Sequence, residues 1–315
     1  MRSRPSPPPR SRPTPFAAIG ALVAALLLAG CAAGGDGPEP DPSAGGSERP
    51  SATPADPGAD PDPGAVSSYV ALGDSYTSAP LVPRTDVAAG CFRSDGNYPA
   101  QVAKALGAEL TDVSCAGADT TDVRRPQLDG VAPQARALAR DADLVTVSLG
   151  GNDGGVFSTL VGQCGRGGAG AMGCTTRFDP GTEPRLRQRL QRTGADLTRV
   201  LRLAARRAPD AKVLAVGYPT IVSADRTCEA LPLPPEAQAA AARLNVELND
   251  TVREAARRAG ATFVDVAGVT ADHDICAEDP WVNGAVTDQQ RALAFHPFAA
   301  EQEAVAQAVL DAVRR

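Results

Sequence analysis

The chain predicts an α/β fold: a three-layer α/β/α sandwich built on a five-stranded parallel sheet. Five short apolar runs alternate with segments of helical spacing along one stretch of sequence. Strands separated by helices imply a parallel sheet covered on both faces, joined by right-handed crossovers. The stretch from Val66 to the C-terminus holds 250 residues, enough for one sizeable core and at the upper end for one domain.

The elements follow in order. Val66–Leu72 is an apolar run that ends at a glycine and reads as a strand, and Pro99–Leu106 reads as a short helix. Glu109–Ser114 reads as a strand and Pro133–Arg140 as a helix. Asp143–Leu149 is a strand that ends in glycines. Glu183–Arg207 carries Leu186, Leu190, Leu197, Val200, Leu201 and Ala204 close to helical spacing. Lys212–Val216 is a strand, Pro235–Arg258 a long alanine-rich helix, Thr262–Val266 a strand and Ala299–Val313 a closing helix.

The N-terminal part does not share this pattern. Residues 1–30 carry Arg2, Arg4, Arg10 and Arg12, then an uncharged apolar segment from Phe16 to Gly30, as in a bacterial export signal. The segment is too short for a membrane span. Leu28-Ala29-Gly30-Cys31 resembles the bacterial lipobox, which implies that Cys31 is lipidated and anchors the chain to a membrane. Residues 31–65 are rich in Pro, Gly, Ala and acids, with no large apolar side chain. Such a segment cannot offset its ordering entropy and is expected as an extended, proline-stiffened tether. Residues 66–315 are then the folded domain.

The charge excludes one class of partner. The leader contributes +4 and the linker −6 to an overall −6, which leaves −4 on the domain. That argues against nucleic acid. With Cys31 set aside, Cys91, Cys115, Cys164, Cys174, Cys228 and Cys276 form an even set in an exported domain, so three disulfides are expected. Six cysteines allow fifteen pairings, and spacing does not choose among them. No Cys-x-x-Cys pair occurs and there are two histidines, so no metal site is expected.

Chemistry in such a sheet belongs at the strand C-terminal ends. There the chain places Gly73-Asp74-Ser75-Tyr76, Cys115-Ala116-Gly117-Ala118 and Gly150-Gly151-Asn152-Asp153-Gly154, and Phe295-His296-Pro297-Phe298 precedes the last helix. A serine hydroxyl becomes a nucleophile only with a base to take its proton and donors for the oxyanion. Ser75 opening a helix is well placed for both. Taken singly, Ser75 reads better as a helix cap and Gly117 and Asn152 as turn residues; their joint placement reverses that and points to a site. Of the two histidines, His296 is the better base. His273, in Asp272-His273-Asp274, reads as a surface or pocket-rim residue.

With these blocks in register, the chain resembles the SGNH (GDSL) hydrolases, in particular the disulfide-bearing secreted esterases and lipases of actinobacteria. The resemblance covers residues 66–315. It includes Asp274-Ile275-Cys276 and Pro280-Trp281-Val282-Asn283-Gly284, a run typical of that branch. It implies a flavodoxin-like sheet, Ser75 as nucleophile and His296 as base. The oxyanion hole would comprise the N–H groups of Ser75 and Gly117 and the Asn152 amide. It also implies the disulfides Cys91–Cys115, Cys164–Cys174 and Cys228–Cys276.

One departure from the family pattern concerns the base. Many members carry an aspartate three residues before the histidine, and that position is Leu293. The expectation is a Ser-His dyad whose ring is oriented by the Leu293 main-chain carbonyl, with Asp288 as the rival acid. Phe298 stands where asparagine is more usual. The implied function is a lipid-anchored extracellular serine esterase or lipase, monomeric and cofactor-free, acting on a small-molecule or lipid ester. The competing readings are an acetyl esterase on carbohydrate or cell-wall polymer, and a non-catalytic surface-binding lipoprotein. The single tryptophan leans toward acyl chains rather than sugars.

Overall fold

The computed structural model describes residues 65–162, residue 179 and residues 181–315. The leader, all but the last residue of the linker, Cys31 and the Cys164–Cys174 pair lie outside the described residues.

The strand β1 (Ser68–Gly73) leads into a single helical turn, α1 (Ser75–Ser78). A small antiparallel ribbon follows, β2 (Thr85–Asp86) with β3 (Arg93–Ser94). Then come α2 (Tyr98–Leu106), β4 (Glu109–Asp112), β5 (Leu144–Ser148) and α3 (Val156–Gly162). The second half runs α4 (Thr182–Arg207), β6 (Lys212–Val216), α5 (Pro235–Ala259), β7 (Thr262–Val264), α6 (Val266–Val269) and α7 (Ala299–Arg314). The main sheet has five strands in the order β4-β1-β5-β6-β7, and every pair is parallel. The expected sandwich is therefore present, with the flavodoxin-like strand order.

Central parallel strands are buried on both faces, which is why β1, β5 and β6 are nearly continuous apolar runs. Successive side chains alternate between two cores. Val70, Leu72, Val145, Val147, Val213 and Ala215 point to one core, shared with Leu197 and Leu201 of α4 and Leu244 and Leu248 of α5. Tyr69, Ala71, Leu144, Leu214 and Val216 point to the other, shared with Val102 of α2 and Val305 and Val309 of α7. The helix ends carry recognisable stops. Asn97 caps α2 by accepting the Ala100 N–H at 3.0 Å, and Gly260 closes α5 in the left-handed region at φ 75°.

The segment expected as helix over Pro133–Arg140 forms only a 3₁₀ turn, Gln134–Ala137. Gln134 is the reason. Its buried side-chain amide pairs with the Gly73 peptide in both directions, with Gly73 N–H donating to Oε1 at 3.0 Å and Nε2 donating to the Gly73 carbonyl at 2.9 Å. Pinned there, the chain turns extended at Leu138. The fifth strand also stops at Val264 rather than Val266, because Asp265 accepts the Gly268 N–H at 3.1 Å and caps α6.

Candidate active site

The strand order reverses between β1 and β5, and the crevice at their C-terminal ends is where such sheets bind ligands. Gly73 stands opposite Ser148 at that edge. Ser75 and Asn152 leave the sheet just beyond these residues.

The turn carrying Ser75 is tightly constrained. An ideal Cβ on Gly73 would fall 2.0 Å from the Thr77 hydroxyl, so only glycine lets α1 fold back onto the strand end. Asp74 donates its N–H to the Ser148 carbonyl at 3.1 Å and caps α1 with its side chain. That carboxylate is fully buried. It accepts from the Tyr76 N–H at 2.9 Å and the Tyr218 hydroxyl at 2.6 Å. Tyr218 in turn accepts the Gly151 N–H at 3.0 Å. One chain of hydrogen bonds thus ties the turn bearing Ser75 to the turn bearing Asn152. Burial pushes the Asp74 carboxyl up to about 7, against the pull of these donors.

Gly117 sits beyond β4, two residues after Cys115, whose N–H donates to the Gly73 carbonyl at 3.0 Å and whose sulfur bonds Cys91. Gly117 has φ 82°, while a Cβ there would find its nearest neighbour at 3.6 Å. The left-handed turn, rather than crowding, is what calls for glycine. Among the described residues no backbone oxygen accepts the N–H of Ser75 or of Gly117. Asn152 donates one amide proton to the Ala118 carbonyl at 3.0 Å, which fixes its plane and leaves the second proton available. Asp153 accepts the Thr120 N–H at 3.1 Å and the Thr120 hydroxyl, and burial pushes it up to about 6. This pair clamps the β4 and β5 loops together.

His296 differs from expectation in one detail. Its Nδ1 meets the Ala294 carbonyl at 2.8 Å, not that of Leu293. The Leu293 carbonyl instead accepts the His296 N–H at 3.1 Å and the Asn283 amide at 3.0 Å. A main-chain carbonyl does support the imidazole, but it comes from the residue two before it. Asp288 is not that support. Its carboxylate accepts the Gln290 N–H at 3.0 Å within a surface turn. The Asn283-Gly284 run cradles this loop: Asn283 donates to the Val286, Ala292 and Leu293 carbonyls, and Gly284 accepts the Phe295 N–H at 2.9 Å. Since a carbonyl only accepts, Nδ1 carries the proton and the Nε2 lone pair is free. Burial holds the imidazole below its ordinary 6.5, with the Ala294 bond pulling partly the other way.

Ser75, Asn152 and His296 line the same cavity. Its walls are apolar, formed mainly by Val156, Ile221, Val222, Leu231, Leu233 and Leu244. Asn245 also lines it, but its amide is spent on the Ile221 N–H and the Pro219 carbonyl. Among the described residues no hydrogen bond joins the Ser75 hydroxyl to the imidazole; such contacts often tighten only with substrate bound. His273 lies apart, stacked on Trp281 with ring centroids 3.6 Å apart and Nδ1 on the Asp279 carbonyl at 2.8 Å. Phe298 begins α7 without a side-chain cap, and its ring lies under the Arg291 guanidinium at 4.1 Å. Cys228 and Cys276 are bonded and tie the Leu231 loop to the segment after α6.

Tyr76, Tyr218, Gln134 and the Ala294 carbonyl are site components that sequence reasoning missed. Only Tyr76 had a local signal, as the neighbour of Ser75.

Residues 71–304 match the model of the GDSL-like Lipase/Acylhydrolase family. "Lipase 2" of Streptomyces coelicolor is 38% identical over 254 residues, 77% of this chain and 84% of that protein. A Streptomyces rimosus lipase is 31% identical over 237 residues, 74% of this chain and 82% of that one. Among solved structures, the extracellular lipase of Streptomyces rimosus superposes with a TM-score of 0.66 at 28% identity, covering 78% of this chain and 99% of that one. Phospholipase A1 of Streptomyces albidoflavus gives 0.62 at 29% identity, covering 79% and 99%.

Proposed function

The chain belongs to the GDSL-like lipase/acylhydrolase family and is a serine hydrolase of carboxylic esters; from that premise we propose that Ser75 is its nucleophile, His296 its base and an apolar acyl ester its substrate. The observation that carries this reading is that Ser75, Asn152 and His296 all line one mostly apolar cavity.

The Ser75 hydroxyl attacks the ester carbonyl while Nε2 of His296 takes its proton. The negative charge on the carbonyl oxygen is met by the Ser75 and Gly117 N–H groups and the second amide proton of Asn152. The imidazolium returns its proton to the departing alcohol, leaving the acyl group on Ser75. Water, deprotonated by His296, then attacks the acyl carbonyl and releases the acid. The Ala294 carbonyl holds the tautomer, although a neutral acceptor stabilises imidazolium less than a carboxylate does. Fixed donors in a water-poor site supply much of the rate, with each oxyanion donor contributing roughly 3 kcal/mol.

The apolar walls favour a chain of several methylenes over an acetyl group. The one tryptophan, the natural sugar platform, is stacked on His273 and does not line the cavity. The name of the phospholipase A1 neighbour supports placing phospholipids in the substrate panel. Hydrolysis of p-nitrophenyl esters from acetate to palmitate, with Ser75→Ala as blank, tests the reading. kcat/KM should rise from acetate to the medium or long chains, and a preference for acetate would refute the acyl pocket.

The export signal and lipobox support an enzyme lipidated on Cys31 and held at the outer face of the membrane by the residue 31–65 tether, with 66–315 as the catalytic domain. Fatty-acid labelling that persists in Cys31→Ala would refute the anchor.

A further inference from the structure

We propose that Tyr76 is the positioning residue that sets His296 against Ser75, supplying from the nucleophile's own helix the constraint that a carboxylate would otherwise provide. The inference rests on the assignment of His296 as the base.

The need for such a residue is visible in the loop. His296 is held at Nδ1 by a single neutral carbonyl, Ala294, on the same short loop. A ring and an acceptor that move together fix the tautomer but not the position of the ring in the site. Phe295, between them, has φ 63°, a left-handed conformation that an aromatic residue adopts only when its surroundings impose it. Two contacts impose it. The Gly284 carbonyl accepts the Phe295 N–H at 2.9 Å, and the Tyr76 hydroxyl donates to the Phe295 carbonyl at 2.7 Å. The Tyr76 ring also lies against the imidazole, with centroids 5.7 Å apart and planes 24° from parallel, so it restricts rotation of the imidazole.

Tyr76 can act as a strut because it is itself fixed at every end. Its N–H is held by Asp74 at 2.9 Å and its carbonyl by the Gln302 amide at 3.0 Å. Its ring packs against Phe157 at 5.6 Å and edge-on to Tyr218 at 5.4 Å. Burial drives its hydroxyl well above the ordinary tyrosine range, so it stays protonated and keeps donating at any working pH. The path from nucleophile to base therefore runs Ser75, Tyr76, the Phe295 carbonyl, His296, with one rigid side chain spanning the gap.

Tyr76→Phe deletes the hydroxyl and keeps the ring. It should lower kcat roughly 10- to 100-fold, the scale of a small misplacement of a catalytic group. KM should stay within about twofold, since the Tyr76 ring that lines the acyl cavity is kept. Rates are normalised to active sites titrated with a phosphonate. Tyr98→Phe removes another buried hydroxyl, one facing the other core, and should leave kcat unchanged. The chain has two histidines, so the His296 Nδ1–H signal in an imidazole ¹H–¹⁵N spectrum is assigned by His273→Gln; it should be sharp in the parent and broadened in Tyr76→Phe, where Ala294 still fixes the tautomer but the ring moves. A kcat within twofold of the parent, an Nδ1–H signal as sharp as the parent's, or an equal loss in Tyr98→Phe overturns the proposal. Should Tyr76→Phe not fold, the parent spectrum decides: a ring-to-ring nuclear Overhauser contact between Tyr76 and His296 is expected, and its absence overturns it. His296→Ala separates the two ideas. If that variant keeps its activity, the base assignment fails; if it is inactive while Tyr76→Phe is normal, only the strut fails.

Discussion

Asp74→Asn tests the buried network that joins the turns bearing Ser75 and Asn152. Ionised, above its pKa of about 7, the carboxylate accepts two donors, the Tyr76 N–H at 2.9 Å and the Tyr218 hydroxyl at 2.6 Å. Tyr218 must donate, because an ionised carboxylate only accepts, while its own oxygen accepts the Gly151 N–H. Asparagine has one oxygen for two donors. Whichever way its amide is turned, one buried donor faces an NH₂ group. A buried donor left unpaired costs about 1–3 kcal/mol. For a domain of this size that is a fall in Tm of ~2–12 °C. Asp74→Ala orphans both donors and removes the cap of α1, so it should cost about twice as much. Catalysis should suffer beyond stability, because the same bonds place Ser75 and, through Gly151, Asn152. With residual folded protein counted by phosphonate titration, kcat of Asp74→Asn should fall roughly 10-fold or more. Thermal melts and titrated kcat values at about pH 9, where the parent carboxyl is ionised, check both numbers. A Tm within 1 °C of the parent together with an unchanged kcat would refute the reasoning, since it would mean that neither bond carries load.

Three further outcomes follow from the same geometry. Asn152→Ala should lower kcat roughly 100-fold with little change in KM, because its second amide proton bonds only the developing oxyanion; a change confined to KM would remove it from the hole. The acid limb of kcat/KM should have its midpoint below 6.5, because burial lowers the His296 pKa and the neutral base is already populated there; a midpoint above 6.5 would contradict the burial argument. Glu301, 1% exposed in the first turn of α7, is pushed up to about 8 by burial, so the folded protein holds a proton that the unfolded chain releases near 4.5. Stability should therefore fall as pH rises from about 4.5 to 8. Glu301→Gln, which can keep the bond to Gln302, should match the parent Tm at pH 5 and exceed it by several degrees at pH 9; equal Tm values at pH 9 would refute this.

The parts of this molecule that could be read in its sequence are those encoded locally. Continuous apolar runs such as Leu144–Ser148 announce buried parallel strands, and glycine followed by a polar residue marks their ends. Gly73, Ser75, Gly117 and Asn152 fall into view for that reason. The reading failed where a distant side chain decided the local conformation. Gln134 gripping the Gly73 peptide, across 61 residues, turns an expected helix into a single 3₁₀ turn. The histidine support shifted from Leu293 to Ala294 because Phe295 takes a left-handed conformation, and nothing in an aromatic residue's identity announces one. Tyr218 lies 144 residues from Asp74, and its hydroxyl becomes part of the site only through the strand order.

The central claim is that Ser75 is activated by His296 with no carboxylate behind it, and fluorophosphonate labelling followed by peptide mapping tests it most directly. The account predicts one adduct, on Ser75, absent in Ser75→Ala and formed at least 100-fold more slowly in His296→Ala, the scale of losing a general base. Asp288→Ala should label at the parent rate. An adduct on another serine, or labelling that collapses in Asp288→Ala while the fold is intact, would contradict it.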